Sequence, residues 1–447
     1  MATKAREIVS AGSAHAELGA ALRSLRTARG LSQARLGALV HSSPDLVRRV
    51  ETTERFPTRE LIEACDRELQ ADGALTELWR AADEERRRSS PAGARVTGSV
   101  PARFNPDASE RLIADWLADD GRSADPATQT GRLWVTEEDV AVAEGLLTMF
   151  RQLDHAHGAG PFAAQLATYI DTELTALLSR PAADPEVTRS RARVATGFLE
   201  LAGYQAVDSG RPGWAQSYYR RALALTSTAP DRAYGAYLVA ANLGHLALHC
   251  DHPQTALRWA QAARSSAGTA ASPATRAAII AVNARAHARM GQEQEATALL
   301  LQAEQLLETS VPGDEPPWIA YFTRAYLADE MAHCLHDLGR APAARSHVTD
   351  ALDGVGRDRV RRLAIDAALL AATWLRSGDL DQACAVGQEA VEYAARTSSG
   401  RCVDRIARLL ADLAAHTGHR AVTELDEYVR EVLPSAAQRA STTRLRV

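Results

Sequence analysis

Residues 31–51 read LSQARLGALVHSSPDLVRRVE. Ser32 stands before QARLGALV as a helix N-cap, HSS makes a turn, and Ser43 caps PDLVRRVE with Pro44 at the first helical position. Upstream, Leu18, Leu22 and Leu25 recur at helical spacing, and Gly30 just past the last turn is a natural helix stop. Two short helices joined by a turn of three or four residues form a helix-turn-helix unit. The chain has 447 residues, which is too long for one ordinary core and predicts two or three domains.

The formal net charge of −5 argues against wholesale coating of nucleic acid or of a membrane surface, so any basic surface must be local. Of the basic residues only Lys4 is lysine, a bias we assign to base composition rather than to chemistry at any one site. The five cysteines, Cys65, Cys250, Cys334, Cys384 and Cys402, are odd in number, widely spaced and without a CxxC pair. That indicates neither a disulfide framework nor a conventional zinc site, and fits reduced thiols in a cytoplasm. No stretch reaches the roughly 20 apolar residues of a membrane span. A cytoplasmic protein, at the nucleoid when bound to DNA, is therefore expected.

Composition and periodicity divide the chain into a helix-turn-helix domain (1–83), a linker (84–107), a helical connector block (108–185), a repeat domain (186–433) and a disordered polar tail (434–447). The linker reading rests on EERRRSSPAGARVTGSVPARFNPD, which mixes an arginine run with Ser, Pro and Gly. TEEDVAVAEGLLTMFRQLD in the connector opens on a Thr-x-x-Asp capping pattern and carries an apolar stripe. Beyond residue 186 the chain repeats a long apolar helix, a tight polar turn and a shorter helix with small or aromatic residues at i, i+4 and i+7. Those positions are Ala215/Tyr219/Ala222, Ala256/Ala260/Ala263, Ala296/Leu300/Ala303, Ala344/Val348/Ala351 and Ala383/Gly387/Ala390. Five units at a pitch of about 40 residues predict an α-solenoid of helical hairpins, because small residues let helices approach and no hairpin can bury its face alone. The pattern resembles the tetratricopeptide repeat with longer first helices. The fold class expected is all-α.

LSQARLGALVHSSPDLVRRVETTERFP resembles the helix-turn-helix of the lambda-repressor and xenobiotic-response-element family, with Leu36, Val40, Val47 and Val50 inward and Glu51 followed by Pro57. His41, Gly37 and Thr53 depart from it, standing where glycine, alanine and glycine are usual. The resemblance implies that the second helix enters the major groove by its N-terminal part while the first lies across the backbone. In that frame Ser32 and Ser43 open the two helices, Pro44, Asp45 and Arg48 face bases, and Gln33, Arg35 and Arg49 are placed for phosphates. Residues 17–59 hold eight arginines against Glu17, Asp45, Glu51 and Glu54, a local net charge of +4 and the footprint expected for double-stranded DNA.

The order of this unit, VTEEDVAVAEGLLTMFRQLDHAHGAG, GDEPPWIAYF and SGDLDQACAVGQEAVEYAARTSSGR resembles the actinomycete repressor-type regulators with C-terminal tetratricopeptide-like domains. In layout it is also similar to the peptide-sensing tetratricopeptide regulators of Gram-positive bacteria. The resemblance implies a dimeric transcription regulator that senses a peptide, a small molecule or a protein partner. The first helices of a solenoid line its concave face, so polar residues interrupting them are the candidate ligand contacts. Asn242 and Asn283 occupy matching positions in consecutive repeats, where an amide both donates to and accepts from a peptide backbone, or else bonds one helix to the next. His245 and His287 lie one turn on, and Arg276, Tyr321, Arg324 and Glu330 extend the same track. HCDH at 249–252 and DHAH at 154–157 have metal-ligand residue types but adjacent rather than spaced ligands, so neither a metal nor a cofactor is expected. Without a phosphate-cradling glycine loop, nucleophile elbow or zinc-protease motif, no enzyme is expected either. The alternative function is a protein-interaction scaffold that the N-terminal domain merely localises.

Overall fold

The computed structural model describes residues 14–40, 42–53, 55–88, 103–118, 134–160, 162–182, 184–228, 231–311 and 313–444. Among these it is all-α, and the chain divides into two compact units, residues 1–95 and 96–447.

The N-terminal unit contains α1 (Ala14–Ala28), α2 (Gln33–Leu39), α3 (Pro44–Glu51), α4 (Arg59–Leu69) and α5 (Ala74–Arg88). Ser32, Ser43 and Thr58 cap α2, α3 and α4, each side-chain oxygen accepting from a backbone N–H three residues on. Leu18, Leu22, Leu36, Val47, Val50, Ile62, Leu69 and Leu75 make the core, so the inward positions expected for Leu36, Val47 and Val50 are correct. The expected linker start at residue 84 is not: α5 continues to Arg88, because the charged run that broke apolar periodicity is built of good helix formers. Most of the remaining linker, 89–102, and His41 lie outside the described residues.

The second unit opens with α6 (Asp107–Ala118), α7 (Glu137–His157) and α8 (Ala163–Tyr169), which runs through a π-helical segment (Ile170–Leu174) into α9 (Thr175–Ser179). This connector is not a separate block. Trp116, Phe150, Leu166 and Ile170 share one core with Phe198 and Tyr219 of the repeats, and the Trp116 indole donates to Thr226 Oγ1 at 3.0 Å. The hairpins follow as α10 (Pro185–Asp208) with α11 (Pro212–Thr228); α12 (Arg232–Tyr237), continued by a π-helical segment (Leu238–Gly244) into α13 (His245–His249), with α14 (Pro253–Ala267); and α15 (Pro273–Arg289) with α16 (Glu293–Glu308). Then come α17 (Arg324–Asp337) with α18 (Ala341–Gly354), α19 (Val360–Arg376) with α20 (Leu380–Ala395), and α21 (Gly400–Leu413) with α22 (Arg420–Val432). The last is a sixth hairpin beyond the five that the alanine pattern marks. α23 (Pro434–Arg444) covers it, which corrects the expected disordered tail. Ala436 and Ala440 are buried in the same core as Ile406 and Leu410, and Arg439 reaches the Gly400 carbonyl, so a polar, low-complexity segment folds by closing the end of the array.

The small residues of the second helices are buried as expected, among them Ala256, Ala260 and Ala263 at 0 % exposure. Gly210, Gly291, Gly339 and Gly378 all have φ between 69° and 81° in the hairpin turns. The second hairpin has no glycine there and uses Asp251 at φ 65°, a residue type whose short polar side chain tolerates that conformation. The first helices form the inner layer, α15 packing on α17, α17 on α19 and α19 on α21. The array curls far enough that α21 also meets α10, and α7 packs against both α10 and α19. The inner face is therefore a lumen closed by a seam.

Candidate DNA interface and solenoid lumen

In the N-terminal unit the second helix, α3, presents Ser43, Pro44, Asp45 and Arg49 to solvent with Arg48 partly so, while Val47 and Val50 fix its buried side. Asp45 sits between two arginines, 3.1 Å from Arg48 Nη2 and 2.7 Å from Arg49 Nε. Exposed pairs of this kind contribute at most a few tenths of a kcal/mol each, so they pre-orient the arginines and release them at little cost. Asp45 thus holds both arginines at the N-terminal end of α3. Ser32 and Arg35 are exposed at the start of α2.

Gln33 is placed differently from the phosphate contact expected of it. It is half-buried, and its Nε2 donates to Glu51 Oε2 at 2.8 Å. Glu51 is itself buried and accepts from both Nε and Nη2 of Arg26, the latter at 2.9 Å, while Arg26 Nη1 donates to the Leu31 carbonyl. The hydrogen bonds that Arg26 donates to Glu51 raise the Arg26 pKa further. One carboxylate thereby ties α1, α2 and the end of α3 together. Gly37 allows the tight turn before α3, since a Cβ there would lie 2.7 Å from the Ser42 carbonyl oxygen. Thr53 adopts φ 59°, a strained conformation for a β-branched residue. Thr53→Gly is accordingly expected to stabilise the unit by about 1 kcal/mol, read as a higher urea midpoint; a lower midpoint would show that its side-chain contacts outweigh the strain.

The lumen gathers only part of the predicted track. Glu330 is buried and lies 2.8 Å from Arg285 Nη1 and 3.6 Å from His245 Nε2. Burial alone would raise its pKa, but His245 and Arg285 hold it far below the usual carboxylate range. Tyr321 shares a 2.6 Å hydrogen bond with Tyr237 and packs edge-on against Tyr326. Asn242 and Asn283 are each 2 % exposed, so neither amide is presented to an extended chain. Asn283 donates to the Ile279 carbonyl of its own helix, and Asn242, in the π-helical segment, donates to Glu200 at 3.4 Å. The remaining three residues fall off the track: His287 binds Gln292 in its hairpin turn, exposed Arg324 pairs with Glu308, and Arg276 lines a cleft of about 100 Å³ with Arg264 and Gln302.

The residues missing from the sequence reading are the charges that carry the inner face. Glu200 accepts from Tyr234 Oη at 2.9 Å, and burial raises its pKa. Arg362 lies 2.8 Å from both Asp329 and Asp366 and stacks 4.2 Å over the Tyr326 ring. Burial and the neighbouring Asp329 push the Asp366 pKa well up, against the pull of Arg362. Each of these residues interrupts an apolar first helix, the signal that would have found them. At the seam, buried Asp208 accepts from Ser399 Oγ at 2.5 Å and Arg401 Nε at 3.2 Å and lies 3.5 Å from Arg361, which also pairs with Asp154 at 2.7 Å. Gly158 and Gly160 pack so tightly on Thr397 and Ser398 that a Cβ at either would clash. Among the described residues no helix is long and apolar enough to cross a membrane.

Comparison with known proteins agrees with the local geometry. Residues 17–79 match the family described as a helix-turn-helix domain. The N-terminal unit is a helix-turn-helix domain. No curated protein sequence matches the chain. Among solved structures, that of PlcR from Bacillus thuringiensis in complex with the peptide PapR7 and DNA is similar at 11% identity and a TM-score of 0.37, covering 79% of this chain and 99% of that one.

Proposed function

We propose that the protein is a sequence-specific transcription regulator that binds an operator as a homodimer through α3, and whose solenoid senses a peptide, small-molecule or protein effector in its lumen. The observation that carries this reading is the helix-turn-helix geometry itself: a buried Arg26–Glu51–Gln33 lock sets α3 so that Arg48 and Arg49 project beside Asp45. Arg48 is assigned to a base edge, where arginine on guanine makes the commonest specific contact, and Arg49 and Arg35 to phosphates. The sensing half is supported by the position of aromatic rings and charged groups on the inner face of the array, the concave side that solenoids use for binding. Ligand entry would alter the curl of the array and with it the spacing of two reading helices, which must match half-sites about one helical turn apart or a multiple of that.

Genomic binding sites mapped in the host and footprinted with purified protein test the proposal. Discrete inverted repeats are expected, and Arg48→Ala should lower operator affinity by roughly 5- to 150-fold, the value of one bidentate base contact, while non-specific affinity falls much less. Equal loss on operator and random DNA would move Arg48 to a phosphate role. Scattered or absent occupancy would favour a scaffold localised by its N-terminal unit.

A further inference from the structure

The cleft of about 100 Å³ that Arg276 lines opens between the end of α14, the first half of α15 and the middle of α16. Its floor is apolar, made by the buried Ala267, Ile279 and Ile280. Its polar lining is Arg264, Arg276 and Gln302, without a carboxylate. Exposed Arg264 donates from Nη2 to Gln302 Oε1 at 3.1 Å, a neutral partner, which leaves the Gln302 amide nitrogen as a further donor. Half-buried Arg276 has no side-chain hydrogen bond and no ion pair within 4.0 Å among the described residues. Glu315, which accepts from the Ala274 amide at 3.0 Å and from Ser310 Oγ at 2.7 Å, is not paired with it. Helix polarity accounts for one of these cations and not for the other. Arg264 stands in the last turn of α14, where positive charge is favoured. Arg276 is the fourth residue of α15, at the positive end of a 17-residue helix whose first turn holds no acid.

We propose that this cleft binds a short aliphatic carboxylate: its oxygens dock on Arg276 and Arg264, with Gln302 as a third donor, and its hydrocarbon covers Ile279 and Ile280. The site is separate from the lumen contacts described above and does not depend on the sensing role. A guanidinium offers parallel N–H groups in a planar fork that matches the two oxygens of a carboxylate. A phosphate group would set further oxygens against the isoleucine floor, where nothing donates to them. The cleft has the volume of about three water molecules in the liquid, which suits the end of a branched aliphatic acid and little more. Such a group is either a free acid or the C-terminal residue of a peptide.

The test is saturation-transfer difference NMR on the full chain with isobutyrate, N-acetylvaline and N-acetylvaline amide as probes. The methyl signal of isobutyrate is expected to saturate with concentration, and Arg276→Gln should weaken its affinity by about tenfold or more, the loss of a charge-assisted hydrogen bond. Arg276→Lys should retain part of the affinity. Tighter binding of N-acetylvaline than of isobutyrate, with its amide silent, identifies a peptide terminus as the ligand; binding of isobutyrate alone identifies a free acid. Arg276→Gln should melt no lower than the natural protein, because the guanidinium has no partner to lose, so a vanished signal is not a vanished fold. Equal affinity in the natural protein and Arg276→Gln, equal binding of the amide, or no saturable signal up to tens of millimolar overturns the site. Displacement of isobutyrate by an equal concentration of inorganic phosphate overturns the carboxylate assignment, and a lower melting temperature of Arg276→Gln overturns the premise that Arg276 is uncompensated.

Discussion

Glu51→Ala should largely unfold the N-terminal unit while leaving the solenoid folded. The carboxylate is buried and accepts from two nitrogens of Arg26 and from Gln33, so its removal strands a buried guanidinium and an amide. Breaking one side of a buried pair costs about 3–5 kcal/mol, and a unit of this size holds only several kcal/mol, at roughly 0.05–0.15 kcal/mol per residue. Hydrogen exchange over residues 14–82 of the full chain reports it: protection of α1 to α3 should collapse, operator binding should vanish, and α10 to α22 should stay protected. Arg26→Met combined with Glu51→Leu should restore most of the protection, because an apolar pair of similar volume removes the desolvation penalty with the charges. Unchanged exchange in Glu51→Ala would mean that the helix contacts alone set α3, and the lock would lose its assigned role.

How much of this was legible in the sequence follows from the range over which each signal acts. Caps, turns and small-residue stripes are local, so Ser32, Ser43, Pro44 and the alanines of the second helices were readable one by one, and the all-α solenoid with its N-terminal helix-turn-helix domain followed. Long-range pairing was not. Glu51 was recognised as a motif residue, but nothing near it in sequence points to Arg26, 25 residues earlier. The ligand track assumes a constant repeat register, whereas Arg324 pairs with Glu308 and His287 binds Gln292 in its hairpin turn, contacts that register alone does not foresee. Asn242 and Asn283 illustrate the limit of residue type as a guide: an amide in an apolar helix serves a peptide or a neighbouring helix equally well, and only burial decides. The tail was misread because its apolar contacts, Ala436 and Ala440, are too small to register as a stripe.

The seam carries the second large effect. Asp208 joins the end of the first hairpin's inner helix to Ser399, Arg401 and Arg361, which belong to the last two hairpins or the turn between them. Asp208→Ala leaves two arginines without their shared carboxylate and should destabilise the second unit by about 3–5 kcal/mol. Its pH dependence identifies the cause. Burial by itself would raise the Asp208 pKa, yet Arg401 and Arg361 outweigh it and hold the group below the usual carboxylate range. A depressed carboxylate contributes its full stability above about pH 4 and loses it as pH falls through the still lower folded value. His336 and His155 act in the opposite sense: burial first, then Arg376 and Arg359 respectively, bring each down to about 4, so acid costs stability from about pH 6.5 downward as they protonate in the unfolded chain. Asp208→Ala should therefore keep the decline between pH 6.5 and 4 and flatten the one below pH 4. Amide exchange should rise together at the end of α10, the start of α19 and the start of α21, with α14 to α16 unaffected, since only the closure of the ring is lost. An unchanged melting temperature, or loss of protection spread evenly over all hairpins, would show that stacking alone curls the array, and that the lumen stays closed without its ion pairs.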